Sequence, residues 1–224
     1  ALSEVDIVLG NTRKPDIVSE VLKQFDGGEV PNNDYYDYEI PDVSNRSRAM
    51  LKIQEGCDQL CSYCIVPKVR GREKSVPADV LVNSVNRLVD DGYMEVVLTG
   101  TQLGSYGFDL DSTSLASMIT DILNRTSVAR LRISSLQPQE LSGELLELWH
   151  DKRLCPHFHI PLQSGSDSIL TRMRRRYDSS QFMKSVDAVR KNVEGASVTT
   201  DLIAGFPGET KQDPLDTKRI CEAV

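Results

Sequence analysis

The sequence predicts an α/β chain: a partial (β/α) barrel built on a parallel sheet, with a short remnant of a preceding N-terminal domain. Three observations predict it. Apolar stripes at helical spacing alternate with five short apolar runs of strand length. Right-handed crossovers between such units curl a parallel sheet toward a barrel. Each strand candidate then runs out into polar or glycine-rich residues, as expected where chemistry collects at the C-terminal ends of barrel strands.

In chain order, Val5 to Asn11 reads as a short strand and Pro15 as a helix start, followed by Ile17, Val21, Leu22 and Phe25 at helical spacing. Gly27 and Gly28 end that helix. Residues 1–27 read as the tail of a preceding domain, and the acidic, tyrosine-rich residues 28–45, carrying Pro31 and Pro41, read as a linker. Residues 46–224 form the partial barrel. Leu51 and Ile53 mark a strand entering Gly56, and Leu81, Val85, Leu88 and Val89 form a helical stripe before a strand at residues 95–98. Leu115, Ile119, Ile122 and Leu123 precede a strand at 130–134; Leu141, Leu145, Leu148 and Trp149 precede one at 158–162. Phe182, Val186, Val189 and Val193 precede the last, at 197–203.

Composition narrows the function. The 224 residues are 39% hydrophobic, enough for one sizeable core. No apolar run approaches the roughly 20 residues that span a bilayer, and the start ALSEVDIVLG lacks the pattern of a secretory signal. The expectation is a cytoplasmic protein with no membrane association. A net charge of -7 argues against wrapping nucleic acid by bulk electrostatics. Two local basic clusters remain: Lys68, Arg70, Arg72 and Lys74, and Arg172, Arg174, Arg175 and Arg176. Each is either a solvated face or a phosphate or carboxylate contact.

The chemistry centres on Cys57, Cys61 and Cys64, spaced C-x3-C-x2-C directly after a strand. Three thiolates can hold three irons of a cubane cluster that ordinarily takes four. The fourth iron is then open to a small molecule carrying an amine and a carboxylate. Zinc is the alternative metal, but its further candidates, Cys155, His157 and His159, lie far downstream. Five cysteines, an odd and sparse number, make a poor disulfide framework.

The strand endings supply matching partners. Gly100 lets backbone approach a ligand closely. Ser135, Gln163 and Ser164 offer hydroxyl and amide groups for a ribose or carboxylate. Arg175 could pair with a carboxylate. Asp201 either accepts from ribose hydroxyls or caps the next turn. A helix beginning near Asp167 would aim its first amides at an anion.

The segments QEGCDQLCSYCIVPKVRGRE, VVLTGTQLGSYG, RLRISSLQPQEL, HFHIPLQSGSDSILTRMRRRY and TTDLIAGFPGET together resemble the radical SAM methylthiotransferases of the MiaB-like family, over residues 46–213. LTGTQLGSYG and IPLQSGSDSILTRMRRRY are most similar to the branch acting on N6-threonylcarbamoyladenosine beside the anticodon of tRNA. The resemblance implies a radical SAM barrel in which Cys57, Cys61 and Cys64 ligate a [4Fe-4S] cluster that binds S-adenosyl-L-methionine (SAM). Tyr63 would lie against the adenine, and Gly100 in the strand ending that meets the methionine amine. Ser135, Gln163, Ser164, Arg175 and Asp201 would line the pocket, with Lys68, Arg70 and Arg72 facing tRNA. Gln137 stands where the family commonly has Glu.

The resemblance further implies reductive SAM cleavage to a 5′-deoxyadenosyl radical, hydrogen abstraction at C2 of the modified adenine, and transfer of a methylated sulfur. That sulfur sits on a second [4Fe-4S] cluster of an N-terminal domain, and a C-terminal TRAM domain grips the tRNA. An electron donor is a required partner; the oligomeric state stays open. With no cysteine before Cys57, the chain reads as a fragment able to bind one cluster and SAM only. Pro214 and Lys218 replace apolar residues of the family, so the last helix is expected to form poorly, with the last barrel strand lying beyond Val224. Alternatives are methylthiolation of isopentenyladenosine in tRNA or of a ribosomal protein aspartate, and a noncatalytic metal-binding module.

Overall fold

The computed structural model describes residues 5–25 and 47–224. The linker expected over 28–45, and the glycine pair before it, lie outside those residues. Residues 5–10 carry no strand and enter a 3₁₀ turn, Asn11–Asp16. A strand is held by ladder hydrogen bonds, and none joins residues 5–10 to a strand among the described residues. Helix α1 (Ile17–Phe25) follows as expected, with Ile17, Val18 and Val21 exposed.

The barrel portion begins with β1 (Arg48–Glu55), whose alternate residues Ala49, Leu51 and Ile53 are buried. The cysteine loop and a one-turn helix, α2 (Val66–Val69), lead to β2 (Lys74–Ser75), a short antiparallel edge strand absent from the expected pattern. Helix α3 (Ala78–Asp90) buries Leu81, Val82, Val85 and Leu88. Strand β3 (Glu95–Gly100) pairs parallel with β1, and after α4 (Leu115–Arg125) strand β4 (Arg130–Ile133) pairs parallel with β3. Side chains facing the helices close a continuous apolar core, including Ile53, Val85, Val96, Leu98, Ile119, Ile122 and Leu131, all at most 1% exposed or nearly so. Burying such side chains is the main favourable contribution to folding.

The stripe Leu141 to Trp149 is not one helix. The Ser142 hydroxyl caps α5 (Gly143–Glu147) at the Leu145 amide, so Leu141 precedes the helix, and a separate 3₁₀ turn, Leu148–His150, follows. Strand β5 (His157–His159) is shorter than expected. Pro161 has no N–H to give, and the Leu162 amide donates to the Thr200 hydroxyl at 2.8 Å, so the regular ladder stops. After α6 (Asp167–Arg172) and α7 (Ser179–Asn192), strand β6 (Ser197–Thr199) pairs parallel with β5 and is likewise short. The Gln163 amide on Asp201 O and the Ile203 amide on Gln163 O continue the pairing irregularly.

The sheet order is β2-β1-β3-β4, with β5-β6 as a second ribbon. Isolated parallel bridges, Leu131 with Leu154 and Ser135 with His159, join the two into one curled wall. All five expected strands are therefore parallel neighbours in chain order, the geometry of a partial barrel.

The last helix is well formed, contrary to expectation. Pro214 falls in the first turn of α8 (Asp213–Ala223), where its missing N–H costs nothing. Asp213 accepts from Thr210 N, Thr210 Oγ1, Ser166 Oγ and Ser168 Oγ, which holds its carboxyl well below the usual carboxylate range. The Gly165 amide donates to Thr217 Oγ1 at 2.9 Å, and a Cβ on Gly165 would stand 2.5 Å from Thr217 Cα. Glycine is thus what lets α8 dock.

Candidate functional site

The cysteine loop leaves β1 at Gly56. This residue has φ +79°, and a Cβ there would lie 2.0 Å from Arg72 O, so only glycine fits. The Cys57 amide donates to Gly71 O, closing the loop at its base. Gln54, 1% exposed, clamps this junction. Its Nε2 donates to Glu55 O and Gly56 O, while its Oε1 accepts from the Thr101 and Gln102 amides at 3.0 and 2.9 Å. One side chain therefore joins the ends of β1 and β3. Across the barrel, the Ser62 amide and hydroxyl donate to Met173 O and Arg172 O. The loop is pinned at base and tip.

A cavity of about 240 Å³ opens at the C-terminal ends of the strands. Cys57, Cys61 and Cys64 share its rim with Tyr63, and Ser135, Gln163, Arg175 and Asp201 complete much of the wall. Eight of the residues singled out from sequence are thus brought together. Gly100 and Ser164 are not in the lining. A Cβ on Gly100 would meet Leu103 and Gln54, which makes it a packing glycine, and Ser164 is 1% exposed, its hydroxyl accepting from the Ser166 amide. Their neighbours Thr101, Gln102 and Gln163 take the wall positions instead.

Among the described residues, Arg175 pairs with no carboxylate of the chain itself. Its Nη1 donates to Cys61 Sγ and Tyr63 Oη, each at 3.4 Å, its Nε donates to Tyr177 Oη, and its guanidinium stacks 4.8 Å from the Tyr177 ring. Burial opposes its charge, but Tyr177, Tyr63 and Cys61 hold it above the ordinary guanidinium range. Tyr177 donates to Pro161 O at 2.6 Å, and burial pushes its phenol up to about 12. Two residues beside this corner, Gln163 (φ 65°) and Arg174 (φ 57°), hold the left-handed backbone that side chains seldom adopt. At the start of α6 the Ser166 and Ser168 hydroxyls donate to the carboxylate of Asp213.

On the opposite wall, sequence reading singled out Gln137 only as a departure from the family and gave no role to Gln59 or Gln102. Gln59, Gln102 and Gln137 line the cavity and are all buried. Gln137 Nε2 donates to Gln59 Oε1 and Gln102 Oε1, and Gln102 Nε2 donates to the Glu140 carboxylate behind them, which also accepts from the Gln137 amide. Burial pushes Glu140 up to about 7, against its donors. His159 was also missed as a lining residue. Strand period places His157 and His159 on one face, but which residues of β6 they meet depends on a register that sequence alone does not give.

The basic residues expected at tRNA sit around the loop. Lys68 is exposed on α2; Arg70 lies 3.6 Å from Glu55, and Arg72 pairs with Asp58 at 2.8 Å.

The thiol set fits an iron–sulfur group. Among the described residues no three His, Cys, Asp or Glu side chains close on a single ion, whereas a cubane takes one thiolate per iron. Two N–H donors already face the sulfurs, Gln59 N on Cys57 and Arg175 Nη1 on Cys61, as ligand-orienting partners do. Burial first, and then Glu73 and the other two thiols, push the Cys57 thiol up despite Gln59; a bound metal reverses that by taking the thiolate.

Residues 51–221 match the model of the radical SAM superfamily. The chain belongs to the radical SAM superfamily. It is 36% identical, over 97% of its length, to a threonylcarbamoyladenosine tRNA methylthiotransferase of Bacillus subtilis, covering 50% of that protein. It is equally 36% identical, over 98% of its length, to a tRNA-2-methylthio-N(6)-dimethylallyladenosine synthase of Dictyoglomus thermophilum, covering 52%. The chain spans about half the length of these curated relatives. The fold of a radical S-adenosylmethionine methyltransferase from Kitasatospora setae, solved with cobalamin and a [4Fe-4S] cluster, superposes with a TM-score of 0.62 at 17% identity, over 78% of this chain and 34% of that one. Among the described residues no helix is long and apolar enough to cross a membrane.

Proposed function

We propose that this chain holds one [4Fe-4S] cluster and SAM, and forms the radical-generating part of a tRNA methylthiotransferase acting on N6-threonylcarbamoyladenosine. The observation that carries the reading is the common rim: three cysteines of one loop and the polar ends of the barrel strands enclose a single cavity. Cys57, Cys61 and Cys64 are the residues that would hold the cluster. When bound, the cluster supplies an electron to SAM and so starts radical chemistry.

The chain's own residues prepare that event. Gln54 fixes where the loop leaves the sheet, and Ser62 fixes its tip. Tyr63, its hydroxyl held by Arg175 and its ring edge-on to Phe206 at 6.3 Å, closes one side of the cavity against water. The uncharged amides of Gln59, Gln102 and Gln137 receive polar groups without adding charge. Asp201 offers an acceptor for ribose hydroxyls. Lys68, Arg70 and Arg72 surround the loop where a tRNA backbone would pass, and a base in a single-stranded loop can be turned out to reach the site. We assign the protein to the cytoplasm, where tRNA is modified. The partners follow: tRNA, SAM and an electron donor.

The synthase named for dimethylallyladenosine is as similar as the threonylcarbamoyladenosine enzyme, so isopentenyladenosine is the second reading of the base. Anaerobic reconstitution is expected to give about four iron and four sulfide per chain, with a cluster EPR signal that SAM perturbs. Iron loading that survives Cys57→Ala, or a spectrum indifferent to SAM, sinks the reading. Nucleoside mass spectrometry of tRNA from cells expressing the whole gene decides the base.

A further inference from the structure

A row of side chains runs along the concave face of β5 and β6 into the cavity. His157 Nε2 meets Thr199 Oγ1 at 3.1 Å, Thr199 Oγ1 meets His159 Nδ1 at 3.0 Å, and His159 Nε2 meets Asp201 Oδ2 at 3.2 Å. The register pairs His159 with Thr199, which is what brings the four together. His159 and Asp201 line the cavity; His157 and Thr199 stand behind them. Within the row, only one end lacks a partner: His157 Nδ1, buried and without a hydrogen-bond partner.

The pattern of donors follows from these contacts. An ionised carboxylate only accepts, so His159 Nε2 carries the hydrogen given to Asp201. Its Nδ1 is then an acceptor, and the Thr199 hydroxyl must donate to it. The hydroxyl oxygen accepts in turn from His157 Nε2–H, which leaves His157 Nδ1 bare. That is the atom with nothing to donate to. Every hydrogen in the row therefore points toward Asp201. No described side chain engages Asp201 Oδ1, and the residue's backbone is fixed by the Gln163 amide on its carbonyl at 2.9 Å.

We propose that His159 is a positioning residue which, backed by Thr199 and His157, turns the Asp201 carboxylate so that Oδ1 accepts from the vicinal hydroxyls of a bound nucleoside. This rests on the reading of the cavity as a SAM site. A carboxylate held by an N–H and kept as an acceptor selects hydroxyl or amine donors and repels phosphate.

The test uses the anaerobically reconstituted chain, S-adenosylhomocysteine as the probe in calorimetry, and long-range ¹H–¹⁵N spectra of the histidine rings. Both His157 and His159 are expected as Nε2–H tautomers. His159→Asn and Asp201→Asn should each weaken binding about tenfold, and the double variant should be no worse than Asp201→Asn alone. His159→Gln, which restores an N–H near the place of Nε2, should recover most of the affinity. The 2′,3′-dideoxy form of the probe should bind the parent and Asp201→Asn alike. An Nδ1–H tautomer at His159, or parent-like binding by a folded His159→Asn, overturns the row while leaving the SAM reading intact. A cluster-loaded parent that does not bind the probe overturns both.

Discussion

The two walls of the cavity solve different problems. On one side Gln59, Gln102 and Gln137 form a buried amide lattice, with Gln54 and a single carboxylate, Glu140, behind it. On the other stand Arg175, Tyr63, His159 and Asp201, each partly open to the cavity and each carrying charge or a titratable group. Amides donate and accept at once without the desolvation cost of a charge, so they can be buried to fix backbone. Charged groups are held ready on the opposite side, where a ligand would complete their solvation. The first wall is built for position and the second for binding.

That division can be broken experimentally. Gln54→Ala removes four hydrogen bonds at a buried junction and should lower stability by roughly 3 kcal/mol in denaturant unfolding. An unchanged unfolding midpoint would mean the lattice is not what fixes the loop. Glu140 predicts a pH signature next. Its folded carboxyl titrates near 7 against an ordinary 4.5, so between those values the folded form keeps a proton that the unfolded form has released. Stability should accordingly fall as pH rises from about 4.5 to about 7, by on the order of 3 kcal/mol, and level off above. Glu140→Gln should flatten the profile in that window, whatever its effect on absolute stability.

Substitution on the second wall should read out in binding. Arg175→Met keeps the apolar stem but removes the donors to Cys61 and Tyr63. Cluster retention against a chelator is expected to drop about tenfold, with little change in the melting curve. The smallest effect is expected outside both walls. Arg72 pairs with Asp58 in solvent, so Arg72→Ala should leave thermal unfolding unchanged within error; a clear loss would mean the rim holds the loop as the glutamines do.

How much was legible in the sequence follows the same division. The helix-facing half of each strand was readable, because Leu51, Ile53, Leu98 and Leu131 obey a period that burial imposes. The cysteines were readable because metal binding constrains spacing within one loop. Gln54 and Gln102 gave no such signal, and Gln137 showed only as a departure from the family: each is an ordinary polar residue until three strand ends are brought to one place. The early halt of β5 was foreshadowed by Pro161, and the sound α8 by the same residue type at Pro214, read wrongly because a proline that breaks a helix interior is harmless in its first turn. The two-residue β2 and the split of residues 141–149 turn on a few local contacts, Lys74 with Glu55 and Ser75 with Gln54 in one case and Ser142 with Leu145 in the other, which no periodicity encodes.

The two hydrogen bonds from Ser62 to Met173 O and Arg172 O tie together residues 110 positions apart in the chain. Solvent exchange at the Ser62 amide is therefore a gauge of a distant event, the loosening of the turn between α6 and α7. A ligand that tightens the arginine corner would slow that exchange, so occupancy could be followed at one backbone proton without watching any reaction.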